Sequence, residues 1–277
     1  MPTDGADINN SASRLLADDD PHPFVVMNEE SQSPVLLVCD HASRRIPAAL
    51  GNMGLDPVAL RCHLALDIGV GELTALLADK LSMTAVLCQY SRLVVDCNRQ
   101  LMDASAFLEF GDGVVVPGNR NLNAAARRAR ADAIYWPYHE AITSQIERLT
   151  ALGRSPIFVS LHSFTPVLNG EARSWEMGVL WDADRMTAEV FLHDLREAGF
   201  RVGDNEPYSG KAPQDFTIDR HAEAGGLPHV GIEIRQDLID DDQGVAAIGA
   251  VLKRTIESLP VRLKPTDINS RHRPVSI

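Results

Sequence analysis

A histidine at the end of an apolar run is the first feature of this sequence that could do chemistry. Residues 157–161 (IFVSL) are almost entirely apolar, and His162 and Ser163 follow them directly. Such a run predicts a buried strand, and ligand sites in α/β sheets lie beyond the carboxyl ends of strands. His162 is therefore a candidate metal ligand or proton carrier. A core histidine that is hydrogen-bonded to a carbonyl explains the same stretch, so the other strand ends must decide between the two.

Polar side chains collect at other predicted strand ends as well. His41 follows the first strand, and Asp96 follows residues 93–95. Two histidines and several acids at separate strand ends suit a Zn²⁺ site with nitrogen and oxygen ligands. Glu233 is unusual because it lies inside an apolar strand, where a carboxylate needs a partner. Strand alternation places Arg235 on the same face, so a structural ion pair is the alternative to a catalytic acid.

Strand-like and helix-like segments alternate along the chain and must position these side chains. We predict strands over residues 34–39, 85–88, 93–95, 157–161, 177–180 and 229–234, and helices over residues 56–63, 69–81, 123–152 (interrupted at Pro137), 186–198 and 245–259. This alternation predicts an α/β fold in three layers, with helices on both faces of a central sheet. The hairpin-like pair within residues 85–95 indicates a mixed sheet. A single α/β domain that carries the site is expected over residues 23–263, between flexible polar arms at residues 1–22 and 264–277.

Composition and charge narrow the classes of partner. The 277-residue chain has 26 basic and 38 acidic side chains, so its net charge is −12, which does not suit nucleic acid. An anionic small molecule is still allowed, because it needs only a few local arginines. No apolar run approaches the roughly 18–20 residues that span a bilayer, and no signal peptide is recognisable. The four cysteines form no CxxC pair and lie mostly in apolar runs, which favours reduced thiols and a cytoplasmic location.

Three short segments follow one another in a distinctive order. They are residues 96–99 (DCNR), 161–164 (LHSF) and 233–235 (EIR). In the same order they resemble three motifs of the zinc carboxypeptidases. In those enzymes the first motif holds the substrate carboxylate, the second ends a zinc-binding strand, and the third supplies the catalytic base.

A longer set of segments covers most of the chain, from about residue 34 to about residue 259. The segments are residues 39–43 (CDHAS), 65–69 (ALDIG), 90–99 (YSRLVVDCNR), 117–119 (PGN), 137–139 (PYH), 161–166 (LHSFTP), 203–208 (GDNEPY) and 226–229 (GLPH). Together they resemble the N-formylglutamate amidohydrolase family. The resemblance implies a zinc-carboxypeptidase-like (phosphorylase/hydrolase-like) fold and a Zn²⁺ cofactor. It also implies hydrolysis of N-formyl-L-glutamate to formate and L-glutamate, as in histidine breakdown.

Two histidines and one carboxylate are the ligand set that this resemblance implies. His41 and His162 match the histidines. In the carboxypeptidases the carboxylate stands three residues after the first histidine, where this chain has Arg44, which cannot bind a metal. Asp67, just before a predicted helix, is the candidate third ligand, although it could instead cap that helix. Asp40 is the reserve ligand.

The remaining roles follow partly from the resemblance and partly from residue chemistry. Glu233 would act as general base and then as acid, and Arg92 would stabilise the oxyanion. Asn98 and Arg99 would bind the substrate carboxylate. Further substrate contacts are expected from Arg173, Tyr208 and His221.

Two alternatives to this function stay open. The substrate could be another N-acyl amino acid or a short peptide. The chain could also be a binding protein without catalysis on the same fold, because Arg44 stands at an expected ligand position. The expected partner is a small anionic N-acyl amino acid, and the sequence does not indicate an oligomeric state.

Overall fold

The computed structural model describes residues 15–168, 170–211 and 215–263. Its strands are β1 (Phe24–Met27), β2 (Val35–Cys39), β3 (Thr84–Cys88), β4 (Phe110–Gly111), β5 (Val114–Val115), β6 (Ile157–Phe164), β7 (Val167–Leu168), β8 (Glu171–Ala172), β9 (Met177–Leu180), β10 (Val202–Asp204) and β11 (His229–Arg235). Its α-helices are α1 (Val70–Leu81), α2 (Ala124–Arg130), α3 (Trp136–Ala151), α4 (Arg185–Glu197), α5 (Phe216–Ile218) and α6 (Asp242–Arg262). Two π-helical segments, Ala131–Tyr135 and Asp219–Glu223, continue α2 and α5.

Seven strands form one central sheet in the order β1-β3-β2-β6-β11-β9-β10. The four central strands β3, β2, β6 and β11 are parallel to one another. Strand β1 pairs antiparallel with β3, and β9 pairs antiparallel with β11. The sheet is therefore mixed, as predicted, but its antiparallel pairs are not the predicted hairpin within residues 85–95.

Apolar side chains alternate between the two faces of this sheet. In β2, Leu37 belongs to the core under one face and Val38 to the core under the other, as the two-residue period of a strand requires. Helices α1, α4 and α6 cover the first face, and α3 covers the second. The predicted three-layer α/β fold is confirmed. No helix in the described ranges is long and apolar enough to cross a membrane.

The predicted strand over residues 93–95 is wrong, because this segment is a turn. Side chains, rather than a neighbouring strand, bind its buried carbonyl groups. Asn119 Nδ2 donates to the carbonyl of Leu93, and Arg130 Nη1 donates to the carbonyl of Val94. A run of three apolar residues packs equally well in such a turn, so its composition does not distinguish the two structures.

The predicted helix over residues 56–63 is also wrong, since only Ala59–Arg61 forms a 3₁₀ turn. Asp56 Oδ1 does accept hydrogen bonds from the N–H groups of Val58 and Ala59, but the N-cap of the 3₁₀ turn is Val58. The segment leaves Val58 77% exposed, and a short helix is marginal unless it buries an apolar face. A good start signal therefore does not propagate into a helix here.

Strand β6 is longer than predicted and places its histidine inside the strand. It runs from Ile157 to Phe164, so His162 is a strand residue and not the first residue beyond the strand. The predicted helix over residues 123–152 is divided into α2, the π-helical segment and α3. Residues 1–14 and 264–277, which include most of the two predicted arms, lie outside the described residues.

Candidate metal centre

One cavity of about 180 Å³ lies where the carboxyl ends of β2, β6 and β11 come together. Most side chains that the sequence singled out line it: His41, Asp67, Arg92, Asn98, Arg99, His162, Tyr208 and Glu233. Ser163, Leu180, Ser209 and Asp215 complete its wall. The structure thus gathers residues from distant parts of the chain at one edge of the sheet, where α/β proteins bind ligands.

His41, Asp67 and His162 direct three ligand atoms at one another. Asp67 Oδ2 lies 2.9 Å from His162 Nδ1 and 3.3 Å from His41 Nδ1. All three residues are buried, and their ligand atoms lie within 4.8 Å of one another. Within the described ranges this is the single group of three or more His, Cys, Asp or Glu with such spacing. Ligands that share a tetrahedral zinc ion at about 2.0–2.1 Å stand about 3.3 Å apart, which is close to both distances from Asp67 Oδ2.

The outer nitrogen of each histidine faces a buried acid. His41 Nε2 lies 2.8 Å from Asp96 Oδ1, and His162 Nε2 lies 3.1 Å from Ser160 Oγ and 3.3 Å from Asp40 Oδ2. An Nε2–H that faces the acid leaves Nδ1 with a lone pair directed at Asp67. Metal-bound histidines are oriented by carboxylates in this way. The ring orientation therefore favours ligation through both Nδ1 atoms.

Two imidazole lone pairs and a carboxylate oxygen repel one another unless a proton or a cation lies between them. Burial alone would lower the pKa values of His41 and His162, but the neighbouring acids raise both, that of His162 strongly. Burial alone would raise the pKa of Asp67, but the two histidines hold it well below its ordinary value. The pocket thus binds protons that a divalent cation can replace. The donor set fits an ion that prefers nitrogen and oxygen ligands.

Asp67 reaches the two histidines because its loop is hydrogen-bonded to the segments that carry them. Its N–H donates to the carbonyl of His41 at 3.1 Å, and the N–H of Ser163 donates to its Oδ2 at 3.3 Å. Gly69 follows with a φ of +76°, and a Cβ there would collide with the carbonyl oxygen of Ile239. Glycine is therefore required two residues after the ligand.

Neither alternative for the third ligand is supported. The N-cap of α1 is Gly69, and no side chain caps this helix, so Asp67 is not its cap. Asp40 lies on the far side of His162, and its Oδ1 accepts a hydrogen bond from Thr217 Oγ1 at 2.8 Å. Asp40 thus stands behind His162 and outside the three-residue group.

Glu233 lies beside this group, on the strand next to His162. The two residues are register partners in the parallel pair β11–β6. Glu233 is 7% exposed, and its Oε2 has no hydrogen-bond partner among the described residues. Burial raises the pKa of Glu233 to about 7, and Asp67 adds to the shift. The alternative ion pair with Arg235 does not form, since that side chain donates to Asp237 at 2.7 Å.

Arg92 joins two of the acids. Its Nε and Nη2 donate to Asp96 Oδ2 at 3.1 and 2.7 Å, and its Nη1 lies 3.4 Å from Asp67 Oδ1. Burial would lower the pKa of Arg92, but the two acids raise it, so the guanidinium stays charged. A guanidinium has five N–H donors, so these contacts leave two for a ligand in the cavity.

Asn98 and Arg99 line the same wall with different contacts. Asn98 Oδ1 accepts a hydrogen bond from the N–H of Thr217 at 2.9 Å, and its Nδ2 lies 3.5 Å from His162 Nε2. Arg99 Nη1 donates to the carbonyl of Asn98 at 2.9 Å. Asn98 is thus held by its neighbours, while Arg99 adds positive charge to the cavity.

Arg173 reaches the cavity only through Tyr208. Its Nη1 donates to the Tyr208 hydroxyl at 2.7 Å, and its guanidinium lies 4.8 Å from the centre of that ring. The same guanidinium lies 5.4 Å from the centre of the Phe164 ring. Tyr208 lines the cavity and is 42% exposed, so the pair stands at the edge where the cavity meets solvent.

The structure does not bring His221 to the cavity. Its Nε2 lies 2.8 Å from His139 Nδ1, away from the wall. Sequence reasoning missed Asp215, a buried acid on the wall whose pKa burial raises. It also missed Asp96 as the partner of His41. Asp96 gave a signal, because it opens a recognised motif, whereas Asp215 belongs to no pattern that we could read.

The fold and the site together define a class: an α/β protein that gathers a buried His–Asp–His group and a further acid of raised pKa at the ends of its strands. The family model described as N-formylglutamate amidohydrolase matches residues 33–240. The chain belongs to this family, and the membership supports a hydrolase.

Two solved structures are similar to most of the chain. The gene product Atu2144 from Agrobacterium tumefaciens is 36% identical, with a TM-score of 0.87 over 90% of this chain and 99% of that one. An N-formylglutamate amidohydrolase from Ralstonia eutropha JMP134 is 20% identical, with a TM-score of 0.69 over 86% of this chain and 97% of that one. The second likeness is one of fold. A comparison with curated proteins gave no match.

Proposed function

We propose that this chain is a zinc-dependent amidohydrolase that converts N-formyl-L-glutamate, or a close N-acyl amino acid, to formate and L-glutamate. One observation carries the proposal: Glu233 stands directly beside the group formed by His41, Asp67 and His162, in one cavity. Two histidines, one carboxylate and a neighbouring acid are the parts that metal-dependent hydrolysis needs. Family membership supports the reaction class.

The size and charge of the cavity support a small anionic substrate. A volume of about 180 Å³ is below the roughly 300–1,000 Å³ of pockets for drug-sized molecules. Arg92 and Arg99 line the cavity, and Arg173 lies at its edge behind Tyr208. An N-formyl amino acid with an acidic side chain has two carboxylates for these guanidinium groups, which suit bidentate carboxylate binding.

His41, Asp67 and His162 would hold the ion, which when bound polarises a carbonyl oxygen and acidifies water. Glu233 accepts a proton from the attacking water as the new C–O bond forms. It then returns the proton to the amide nitrogen as the C–N bond breaks, which releases formate and a free amine. Burial raises the pKa of Glu233 to about 7 in the metal-free protein, and a bound cation would lower it, which favours the carboxylate as the base.

The other residues bind and orient. Arg92 has two N–H donors left for the oxygen on which negative charge develops. Arg99 binds the α-carboxylate, and Asn98 keeps that wall in place. Tyr208 covers the bound substrate and brings Arg173 close to the side-chain carboxylate.

The test is release of the free amino acid, the product common to all three compounds below, by chelated protein before and after zinc is restored. The substrates are N-formyl-L-glutamate, N-formyl-L-glutamine and N-acetyl-L-glutamate, with Glu233→Gln protein as the blank. We expect zinc-dependent release that is fastest with N-formyl-L-glutamate. Hydrolysis of only the acetyl compound would show that the substrate is an N-acetyl and not an N-formyl amino acid. Tight zinc binding without hydrolysis of any compound would favour a binding protein.

A further inference from the structure

Two buried histidines outside the cavity form a hydrogen-bonded chain. His139 lies on α3, and His221 lies in the π-helical segment that follows α5. His139 Nδ1 lies 2.8 Å from His221 Nε2, and His139 Nε2 lies 3.0 Å from the carbonyl oxygen of Cys97. The two rings are stacked, with centres 5.1 Å apart and planes 24° apart.

The two hydrogen bonds determine which ring nitrogens of His139 and His221 carry the hydrogens that they use. A carbonyl oxygen only accepts, so His139 Nε2 must carry the hydrogen that faces Cys97. His139 Nδ1 is then an acceptor, and His221 Nε2 must donate to it. Burial lowers the pKa of His139 to about 4 and that of His221 to about 3, which keeps both rings neutral, as this arrangement requires.

The hydrogen bonds of the two histidines end at a carbonyl that lies between two residues of the site. Cys97 follows Asp96, whose Oδ1 lies 2.8 Å from His41 Nε2, and precedes Asn98, which lines the cavity. A buried polar pair costs free energy unless its hydrogen bonds are made. His221 donates to His139, and His139 donates to the carbonyl of Cys97. The pair therefore fixes the position of that carbonyl.

The helical segment of His221 is also connected to the acid that stands behind the second histidine ligand. Thr217, four residues earlier, donates from Oγ1 to Asp40 Oδ1 at 2.8 Å, and Asp40 Oδ2 lies 3.3 Å from His162 Nε2. The N–H of Thr217 donates to Asn98 Oδ1 at 2.9 Å. One short segment is therefore connected to the acids behind both candidate metal-binding histidines.

We propose that His139 and His221 are positioning residues, a neutral chain of fixed tautomers that holds the 96–98 backbone and so keeps His41 oriented for the metal. The inference rests on the proposed zinc site and adds residues that do not touch it. Loss of the donor at position 221 should act on zinc affinity through Asp96, because partners behind metal ligands set that affinity.

The test compares His221→Leu with His221→Gln, whose side-chain amide N–H can replace the Nε2 donor. Zinc affinity is measured by chelator competition, and the thermal stability of the metal-free proteins is measured alongside. We expect His221→Leu to bind zinc roughly 10–100-fold more weakly, and His221→Gln to bind it nearly as tightly as the wild type. His193→Leu, at an exposed position on α4, is the matched control and should bind zinc as the wild type does.

Two results would overturn the inference. One is unchanged zinc affinity in His221→Leu, and the other is an equal loss in the Leu and Gln variants. Nitrogen NMR of the wild-type histidine rings tests the two tautomers even if a variant does not fold. Both rings should be Nε2–H tautomers, and an Nδ1–H form of His139 contradicts the proposal. If wild-type protein binds no zinc, the proposed function fails instead, so the two failures are distinguishable.

Discussion

Glu233 and His162 are register partners on adjacent parallel strands, so the candidate base and a candidate metal ligand are one strand spacing apart, about 4.8 Å. Both residues lie on the sheet face opposite to that of their apolar neighbours Leu161 and Ile232. Strand pairing thus sets their relation, and neither depends on a loop for its position. A scaffold of this rigidity suits groups that must act on one substrate bond.

Replacement of Glu233 by glutamine should separate catalysis from metal binding. The amide keeps the size of the side chain but cannot take a proton, so we expect kcat to fall by roughly 10²–10⁴. Zinc content, measured by elemental analysis, should stay as in the wild type. Glu189→Gln, on the exposed part of α4, is the control and should leave both values unchanged. Normal kcat in Glu233→Gln would remove this residue from the reaction.

The raised pKa of Glu233 predicts a pH dependence of stability in the metal-free protein. Its pKa rises from 4.5 to about 7 on folding, so the unfolded chain loses this proton first as the pH increases. Stability is therefore lost between about pH 4.5 and pH 7, by roughly 3 kcal/mol in total. Urea unfolding at pH 5 and pH 8 checks this, and Glu233→Gln should lose less stability than the wild type between the two. Equal losses in both proteins would mean that the carboxyl has an ordinary pKa.

Asp67 should prove to be a ligand, and Asp96 a partner of a ligand. We expect Asp67→Asn to weaken zinc binding by more than the roughly 10–100-fold that loss of an outer partner costs, and Asp96→Asn to fall within that range. Chelator competition measures both. Asp112→Asn, whose carboxylate pairs with His63 away from the cavity, is the control. Wild-type zinc affinity in Asp67→Asn would show that Asp67 is not the third ligand.

Arg173 should select for an acidic substrate side chain. We expect Arg173→Ala to raise KM for N-formyl-L-glutamate roughly tenfold, the effect of one charge-assisted hydrogen bond. KM for N-formyl-L-glutamine should change less. Arg185→Ala is a matched control, because Arg185 also lies over an aromatic ring, that of Trp181, outside the cavity. An equal change for both substrates would indicate that Arg173 only supports Tyr208.

The sequence predicted the parts of the site that strands carry. His162 and Glu233 lie in apolar runs that are readable without a structure, and both line the cavity. Asp67 could only be guessed, because its position depends on hydrogen bonds to two segments that are distant in sequence. His221, which we expected to contact substrate, does not line the cavity, and nothing local shows that its partner is His139 on another helix.

The fold was predicted well where the periodic side chains of a helix or strand enter the core, but burial of apolar side chains alone did not make a prediction correct. Helix α1 and strand β2 match their predicted segments closely because their periodic side chains enter the core. Residues 93–95 are apolar and buried but are not a strand, because Asn119 and Arg130 bind their carbonyls from outside the sheet. Such tertiary hydrogen bonds are invisible to any local pattern.

Zinc titration of chelated protein, followed by formate release from N-formyl-L-glutamate, tests the central claim most directly. We predict no formate release without metal. With added zinc, the rate of formate release should increase linearly and reach its plateau at one zinc ion per chain. Asp67→Asn protein should show no such plateau under the same conditions. Full formate release by the wild type in excess chelator, with no metal detectable in the protein, would contradict the claim.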